Sequence, residues 1–378
     1  MSVPPIVPGR VSIVIPAYNC AATVAATVES CLAQTYRDVE IFVVNDGSND
    51  RTAEVLRTFG RKITVIDKSN GGVAASRNVG TVAASGEFVV WMDHDDLMVP
   101  DRVRMQVEVL RSDPSIELVS SDFSAFTTVE ADYEYSHIAS YYSAVRRLGG
   151  LERIYSQARV IEAGLLPGER SFTVRCGQVY ESLLSGNFVH PPTVMVRHSV
   201  FDRTGYFDET LTYNSEYDLV LRIARVGRVA YIDAPLLRYR RSETQLSHCP
   251  AGGKIPLETV RVLEKVRRDD PAMYASHPSL FRLRFAAQFI DAADLIGPSD
   301  RVRAFRLLLR GLRYKIVFGA ALHALGRIVV PRFVVRAIKS VWRNLAMVFP
   351  LSFTFIEEES LLAAIEMQGF FGWAVAFY

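Results

Sequence analysis

Residues 88–96 read Phe-Val-Val-Trp-Met-Asp-His-Asp-Asp. The run of apolar residues predicts a buried strand, which delivers Asp93 and Asp95 to its carboxyl end. Because a carboxylate is costly to bury without a partner, such a pair favours a hard divalent cation, which prefers oxygen ligands and can bridge the phosphates of a nucleotide. Alternatively, the residues from Asp93 to Asp96 cap the helix that begins near Pro100. This stretch alone does not decide between the two interpretations.

Three further stretches surround this strand in the sequence. Residues 11–19 (Val-Ser-Ile-Val-Ile-Pro-Ala-Tyr-Asn) predict a buried strand that ends in a turn. Residues 39–50 (Val-Glu-Ile-Phe-Val-Val-Asn-Asp-Gly-Ser-Asn-Asp) predict a second strand, which ends in an acidic turn. Residues 70–78 (Asn-Gly-Gly-Val-Ala-Ala-Ser-Arg-Asn) predict a glycine loop that opens a helix. Ligands of open α/β sheets bind at the carboxyl ends of the strands, so these strand ends are expected to share one site.

The first part of the chain alternates between strand and helix patterns. Helices are predicted at 24–32, after Asp50, near Gly72 and after Pro100-Asp101. This alternation predicts an α/β fold with a doubly wound, mostly parallel, Rossmann-like sheet. The expected strands of this sheet are 11–15, 39–44, 63–66, 88–92 and 117–121.

The rest of the chain has a different pattern. Residues 122–190 are less regular and rich in tyrosine, whereas a helix is predicted at 215–226 and a strand at 229–232. From about 255 the pattern is helical to at least 343, with a break at Gly297-Pro298. We therefore expect a C-terminal α-helical extension after the α/β part.

Composition and cysteine spacing indicate the cellular compartment of the protein. Hydrophobic residues make up 49% of the 378 residues, which is enough for a substantial core. The cysteines form no CxxC pair, and the N-terminus lacks a basic region followed by an apolar run. These features predict a reduced, cytoplasmic protein with no structural zinc and no signal peptide. The cysteines are Cys20, Cys31, Cys176 and Cys249.

The order of these motifs resembles family 2 glycosyltransferases of the GT-A fold, over roughly residues 10–245. The resemblance implies an inverting transfer of a sugar from a nucleotide diphosphate donor, a UDP-sugar or similar, to a hydroxyl of a glycan acceptor. It also implies Mn²⁺ or Mg²⁺ as the cofactor. We expect a GT-A domain at 1–250, with its nucleotide-sugar half at 10–125 and its acceptor half at 126–250. A helical, basic C-terminal region is expected at 251–378.

The resemblance assigns donor contacts near the ends of the first strands. Asp46 would accept the imide N–H of uracil, although a turn aspartate ahead of a helix fits the same position. Pro16 and Tyr18 would form a wall beside the base, or they serve only the geometry of the turn. Arg77 suits a phosphate or a ribose, and the alternative is a solvated arginine on a helix.

The resemblance identifies Asp93 and Asp95 as the DxD motif of the family. It implies that Asp95 binds Mn²⁺ or Mg²⁺ and that Asp93 binds the ribose or the metal. Family members often have Tyr-Arg-x-His, whose histidine completes the metal site, but this chain has Tyr239-Arg240-Arg241-Ser242. Either His248 reaches back from further along the chain, or the metal lacks this ligand and Arg240 and Arg241 contact the diphosphate.

A general base must take the proton of the acceptor hydroxyl. Family members often carry Glu-Asp-x-Asp at the start of a helix, where this chain has Ser215-Glu216-Tyr217-Asp218. Glu216 stands where the family usually has Asp, so the position keeps a carboxylate that is one methylene longer. We predict Glu216 as the base and Asp218 as the second candidate, although Asp218 could instead pair with Arg222 at i+4.

Three other functions remain open at this stage. A polyprenyl phosphate acceptor would need no base, and a catalytically silent nucleotide-sugar-binding protein would release no nucleotide diphosphate. A nucleotidyltransferase also uses paired aspartates and a metal, but the lysine- and glycine-rich N-terminal loop of that class is absent. For the acceptor, the tyrosines of 122–190 and the His190-Pro191-Pro192 loop either bound its pocket or simply pack the loop.

Charge is unevenly distributed along the chain. The formal net charge is +2, yet residues 301–356 contain eleven Lys or Arg and no Asp or Glu. No run there reaches 18 uncharged apolar residues, so a membrane span is not expected. We expect contact with an anionic membrane surface at the cytoplasmic face, where a lipid-linked glycan acceptor would lie, and no nucleic acid partner. The alternative is a soluble helical subdomain. One predicted apolar face consists of Ala304, Phe305, Leu308, Leu309 and Leu312.

Overall fold

The computed structural model describes residues 4–128, 131–134, 138–166, 169–241, 253–315 and 318–329. The chain divides into two compact units, Met1–Cys249 and Pro250–Tyr378. The first unit combines helices with a mixed sheet, and the described part of the second unit is helical.

The strands of the first unit belong to one sheet. They are β1 (Val7–Ala17), β2 (Val39–Asp46), β3 (Thr64–Lys68), β4 (Gly86–Trp91), β5 (Leu97–Met98), β6 (Ile116–Thr128), β7 (Ala131–Glu134), β8 (Gln157–Leu166), β9 (Glu169–Gly177), β10 (Met195–Arg197) and β11 (Arg228–Arg240). The helices are α1 (Val24–Leu32), α2 (Thr52–Arg57), α3 (Val73–Ala83), α4 (Arg102–Ser112), α5 (Ile138–Tyr141), α6 (Ser143–Arg147), α7 (Leu151–Ile154), α8 (Tyr180–Ser185), α9 (Phe201–Thr204) and α10 (Ser215–Val226).

The strand order is β3-β2-β1-β4-β10-β6-β11-β9-β8, with β5 paired to β11 and β7 paired to β6. Strands β3, β2, β1 and β4 run parallel, as do β6 and β11, whereas β10 lies antiparallel between β4 and β6. The chain leaves β1 towards β2 and β3 and returns to β4 on the other side of β1, which is the reversal of a doubly wound sheet. The predicted α/β class with a mostly parallel sheet is confirmed.

The central strands are buried on both sides of the sheet. Val11 and the run 13–15 of β1 are fully buried, and so are residues 88–90 of β4. A parallel strand that is covered on both faces has a continuous apolar sequence, which is why these strands were predictable. All the strands predicted before residue 122 are present, with ends that lie at most seven residues from the predicted ones.

The region predicted as less regular contains regular elements. Strand β6 continues to Thr128, and β8 and β9 pair as an antiparallel hairpin. In β9, Phe172, Val174 and Cys176 are buried, whereas the residues between them are only partly buried. This period of two is typical of a strand with one covered face, and it was the available signal for β9 in the sequence.

Helix α3 packs closely on β1 and β2 because small residues line its contact face. A Cβ atom on Gly80 would collide with the side chain of Val14 and would lie 3.2 Å from the side chain of Val44. At the other end, Gly72 precedes the helix with φ +88°, a conformation that favours glycine. The helix therefore starts directly beside the carboxyl ends of the strands and carries Arg77 in its second turn.

The second unit contains the predicted helices, with the break at Gly297-Pro298 between the third and the fourth. Among the described residues, none of the helices combines the length and the apolarity needed to span a bilayer. The helical prediction for 330–343 lies outside the described residues, and the division of 1–250 into a donor and an acceptor half stays a prediction. The helices are α11 (Lys254–Asp269), α12 (Pro271–Ser276), α13 (Pro278–Ile296), α14 (Arg301–Tyr314) and α15 (Phe318–Val329).

Candidate active site

The carboxyl ends of β1, β2 and β4 lie side by side. Strand β1 pairs with β2 up to Ala17 and with β4 up to Val14, and both pairs are parallel. Asp46 at the end of β2 and Asp93 just after β4 therefore lie at the same edge of the sheet. This edge is where a ligand of an open α/β sheet is expected.

Asp46 is buried and organises the glycine loop that precedes α3. Its carboxylate accepts hydrogen bonds from Lys68 Nζ at 2.5 Å and from the backbone N–H groups of Gly71 at 2.9 Å and Gly72 at 2.8 Å. Burial raises the pKa of Asp46, but these donors outweigh burial and hold the pKa below its ordinary value. Oδ2 accepts the hydrogen bond from Gly72 and has a second lone pair, which could accept the imide N–H of uracil. The uracil contact stays a prediction.

Hydrogen bonds join the loop after β1 to the loop after β2. The backbone N–H of Asn19 donates to Ser48 Oγ at 3.0 Å, and Asn19 Oδ1 accepts from the backbone N–H of Asn49 at 2.9 Å. Pro16 is buried at the end of β1, whereas Tyr18 is 46% exposed. The exposed ring of Tyr18, on a loop held by these hydrogen bonds, is open to a ligand. That Pro16 and Tyr18 form a wall beside the base stays a prediction.

Arg77 is 2% exposed and joins two carboxylates. Its Nη2 donates to Asp93 Oδ1 at 2.7 Å, and its Nη1 donates to Glu216 Oε1. The guanidinium carbon lies 5.6 Å from the centroid of the Phe207 ring. Burial lowers the pKa of Arg77, but the charges of Glu216 and Asp93 raise it above its ordinary value, so the group stays cationic. Arg77, the predicted donor arginine, thus bridges Asp93 of the predicted DxD motif and Glu216, the predicted base.

Arg240 supports the loop that carries Asp95. Its backbone N–H donates to Asp96 Oδ1 at 2.9 Å, its Nε donates to the backbone oxygen of Asp95 at 2.8 Å, and its guanidinium carbon lies 4.7 Å from the Phe126 ring centroid. Asp96 is fully buried, and its pKa is raised well above the ordinary value by burial first and then by the charges of Asp95 and Asp93. Asp96 therefore stabilises the loop through its hydrogen bond to the backbone of Arg240. Asp93 and Asp95 are partly exposed.

The alternative in which residues 93–96 cap a helix does not fit the structure. Helix α4 begins at Arg102, and Asp101 occupies its N-cap position. The Asp101 carboxylate accepts hydrogen bonds from Thr35 Oγ1 at 2.7 Å and from Arg104 Nη2 at 2.9 Å. The acidic residues after β4 thus precede the N-terminus of that helix by several positions.

Asp93 and Asp95 suit a hard divalent cation by the chemistry of their oxygen donors. Asp93 gives one oxygen to Arg77 and keeps Oδ2. Mg²⁺ typically takes one or two carboxylates together with waters and substrate phosphates, so a pair is a sufficient protein contribution. Within the described ranges, no group of three or more His, Cys, Asp or Glu could hold a metal. His248 lies outside the described residues.

The first turn of α10 carries both predicted bases. The Glu216 side chain is 18% exposed, and its Oε2 accepts from Ser215 Oγ at 3.1 Å. The Asp218 side chain is 3% exposed and accepts from Arg222 Nε at 3.0 Å and Nη2 at 2.7 Å. Arg222 also donates to the carbonyl of Tyr206 at 2.8 Å. Asp218 therefore makes the i+4 pair expected of a structural residue, and Glu216 is the more accessible carboxylate.

An aromatic cluster formed by Phe123, Tyr141, Tyr142, His190 and Tyr239 lies in the first unit. Phe123 stacks on His190 with ring centroids 4.1 Å apart, and Tyr141 packs edge-on against Tyr142 at 4.9 Å. The Tyr142 hydroxyl lies 3.0 Å from His190 Nδ1. Tyr141 is 40% exposed, so the cluster includes both packed rings and a ring that is open to solvent. Both predicted roles of the tyrosines are therefore compatible with the structure.

Tyr142 of this aromatic cluster interacts electrostatically with the carboxylates of Glu216 and Asp93. Burial raises the pKa of Tyr142 well above its ordinary value, neighbouring tyrosines add to the shift, and the charges of Glu216 and Asp93 add further. The aromatic cluster is thus within electrostatic reach of the predicted base.

Asn78 contributes to the site and was missed from the sequence. Its Nδ2 donates to the backbone oxygen of Phe207 at 3.0 Å and to Glu209 Oε1 at 2.8 Å, and its Oδ1 accepts from the Phe207 N–H at 2.9 Å. Asn78 follows Arg77 on α3, so adjacent residues tie this helix to the segment before α10 and to its first turn. An amide side chain that can both donate and accept hydrogen bonds, directly after Arg77 in a helix of small residues, was the available signal.

Replacing Arg77 with methionine should destabilise the first unit by about 3 kcal/mol, the low end for a buried ion pair because Asp93 is partly exposed. The variant leaves the Asp93 and Glu216 carboxylates close together without their shared cation. Urea unfolding at pH 7 should show the loss as a lower unfolding midpoint. Arg57→Met, at an exposed position on α2, is the control. Equal urea unfolding midpoints for the two variants would contradict the expectation.

Known proteins resemble the chain in both sequence and structure. The model of glycosyl transferase family 2 matches residues 12–159. An uncharacterized glycosyltransferase of Rickettsia typhi is 30% identical over 238 residues, which cover 63% of this chain and 66% of the relative. A chondroitin synthase of Pasteurella multocida is 27% identical over 226 residues, which cover 59% of this chain and 20% of that protein. The chain thus spans just under two thirds of the first relative and a fifth of the second.

The crystal structure of S. aureus TarS 1-349 matches with a TM-score of 0.52 and 16% sequence identity, over 93% of this chain and 95% of that one. At this identity the likeness concerns the fold. The family match includes β1, β2 and β4, whose carboxyl ends carry Asp46, Asp93 and Asp95. The chain therefore has the GT-A fold, and its sequence is similar to that of glycosyl transferase family 2.

Proposed function

We propose that the chain is a metal-dependent, inverting glycosyltransferase, which moves a sugar from a nucleotide diphosphate donor to a hydroxyl of a glycan acceptor. The observation that carries this proposal is the junction of Asp93, Arg77 and Glu216. Asp93, which is assigned to the donor, and Glu216, the candidate base, both accept hydrogen bonds from the buried guanidinium of Arg77. Both partners of a displacement at the anomeric carbon would therefore meet at the same place.

The donor is a UDP-sugar or a similar compound bound along the edge formed by β1, β2 and β4. Asp46 would accept the imide N–H of the base through Oδ2, and Tyr18 would offer its exposed ring beside it. Asp93 and Asp95 would hold Mn²⁺ or Mg²⁺, which when bound neutralises charge that develops on the departing diphosphate. Arg240 adds a positive charge beside Asp95, in the segment where the family often has a histidine.

Glu216 acts as the general base in a single displacement. Its carboxylate takes the proton of the acceptor hydroxyl as that oxygen forms a bond to the anomeric carbon, and the bond from this carbon to the diphosphate breaks on the opposite side. The nucleotide diphosphate leaves with the bonding electrons, and the anomeric configuration inverts. Arg77 holds one Glu216 oxygen, which orients the carboxylate before the acceptor arrives.

The acceptor is a glycan, free or linked to a lipid, in a surface polysaccharide made at the cytoplasmic face of the membrane. The 40% exposed ring of Tyr141 supports this class because aromatic faces pack against the apolar C–H surface of sugar rings. The name of one relative, chondroitin synthase, also supports a glycan product. The donor site and Tyr141 belong to the same unit of the chain.

A panel of UDP-, GDP-, CMP- and dTDP-sugars tests the proposal by thermal shift, each with Mn²⁺ and with EDTA. One sugar nucleotide should raise the unfolding midpoint by about 5 °C near saturation, and only when Mn²⁺ is present. With an acceptor glycan, the same donor should release its nucleotide diphosphate. The nucleotide alone should stabilise less than the full donor.

Three outcomes would contradict this function. Absence of a shift with every donor would remove the donor assignment. Donor binding without release of nucleotide diphosphate, over a panel of glycan and polyprenyl phosphate acceptors, would indicate a silent binding protein. Release of pyrophosphate from nucleoside triphosphates would indicate a nucleotidyltransferase.

A further inference from the structure

Helix α14 has two apolar faces rather than the single face expected from its sequence. Ala304 and Leu308 are buried in a core with Ile290 and Ala293 of α13. A Cβ atom on Gly311 would approach the backbone oxygen of α13 residue 286 at 3.0 Å, so the two helices are closely packed there. This packed face accounts for only part of the apolar residues of the helix.

Three other apolar residues of α14 form an exposed stripe. Val302 is 63% exposed, and Phe305 and Leu309 are each 45% exposed. Their spacings of three and four residues put them on one side of the helix. Phe305 and Leu309, which the sequence pattern assigned to the same face as Ala304 and Leu308, therefore face solvent. We call Val302, Phe305 and Leu309 the α14 stripe.

Arginines border the α14 stripe. Arg306 follows Val302 by one helical turn and Arg313 follows Leu309 by one turn, and both side chains are exposed. The segment 301–315 contains further basic residues and no Asp or Glu. The Asp300 side chain caps the helix by accepting from the Arg303 N–H at 2.9 Å. On the neighbouring α13, Asp294 pairs with His323 at 3.0 Å.

We propose that the α14 stripe and its arginines dock on an anionic membrane surface. Apolar side chains enter the boundary between headgroups and acyl chains, while the flanking guanidinium groups meet lipid phosphates. A nucleic acid would engage the arginines but would leave the three apolar side chains in water. A second copy of the chain, related by a two-fold axis, would bring the same arginines face to face. The proposal does not depend on the donor chemistry, and its test needs no enzymatic activity.

Co-sedimentation of the full chain with vesicles tests the proposal. Binding should be strong to vesicles of phosphatidylcholine mixed with phosphatidylglycerol, weak to phosphatidylcholine alone, and lowered by salt. Val302→Asp should lower the partition coefficient tenfold or more. Val160 on β8 is also 63% exposed, so Val160→Asp is a matched control and should change the partition coefficient less than about twofold.

Arg306→Gln with Arg313→Gln should also lower binding tenfold or more, since each basic residue near an anionic surface contributes about fivefold to the partition coefficient. The exposed pair Arg61→Gln with Lys62→Gln carries the same charge change as a control. Unaltered unfolding midpoints establish that the variants fold.

Equal binding to both kinds of vesicle, or α14 variants that bind like the wild type, would overturn the proposal. So would a dimer in sedimentation equilibrium that Val302→Asp dissociates, because the stripe would then belong to a second copy. Tight binding of RNA that the arginine variants abolish, together with no vesicle binding, would likewise overturn it. Loss of sugar transfer in solution, with vesicle binding retained, would concern the proposed function alone.

Discussion

Replacing Glu216 with glutamine is expected to lower kcat by about 10²- to 10⁴-fold with a glycan acceptor. The amide cannot take the proton of the attacking hydroxyl, whereas its oxygen can still accept the hydrogen bond from Arg77. The KM for the donor and the unfolding midpoint should therefore change little. Initial rates of nucleotide diphosphate release, measured at saturating donor, provide the test.

The control for this variant is Glu54→Gln, whose side chain is 61% exposed and pairs with Arg51 on the surface. It should retain wild-type rates. A Glu216→Gln enzyme that keeps most of its activity would argue against Glu216 as the base. If that activity required a polyprenyl phosphate, the acceptor would be one that is already ionised and needs no base.

Replacing Asp95 with alanine is expected to abolish the stabilisation of the fold by donor and Mn²⁺ and to lower kcat/KM at least ~10²-fold. The substitution removes one of the two carboxylates assigned to the cation. It leaves the backbone oxygen of residue 95, which accepts from Arg240 Nε, so the loop keeps its support. Thermal shifts with and without Mn²⁺, and rates over a range of Mn²⁺ concentrations, measure both effects.

Asp38→Ala serves as the comparison, because that carboxylate is 49% exposed and pairs with Arg10 on the surface. It should keep the full metal-dependent shift. If Asp95→Ala also kept the shift, while Asp93→Asn lost it, the cation would rest on Asp93 and the assignment of Asp95 would be wrong.

The fold was predictable where burial leaves a regular trace in the sequence. Strands β1 and β4 are covered on both faces, so residues 13–17 and 88–91 are continuously apolar, and polar residues follow both strands at the same edge. The helix of α10 was predictable from its apolar periodicity. Strand β8 was not predictable because residues 157, 158 and 160 of its described part are exposed and leave no apolar pattern.

Individual roles were harder to predict because they depend on contacts between distant residues. Arg77 and Glu216 are 139 positions apart, and no local pattern indicates that they share a hydrogen bond. The pairing of Asp218 with Arg222 is local, and the sequence did offer it as an alternative. The two faces of α14 could not be separated either, since hydrophobicity alone does not tell which residues a neighbouring helix covers.

The position of β10 limits how this chain could be recombined with its relatives. Residues 195–197 lie between β4 and β6, and β6 pairs along its length with β11. A fragment ending near residue 125 would thus carry β4 and β6 without the strand that joins them, and it would expose unpaired edges that favour aggregation. Donor specificity is therefore better transplanted by exchanging side chains at the strand ends than by swapping the N-terminal third as a module.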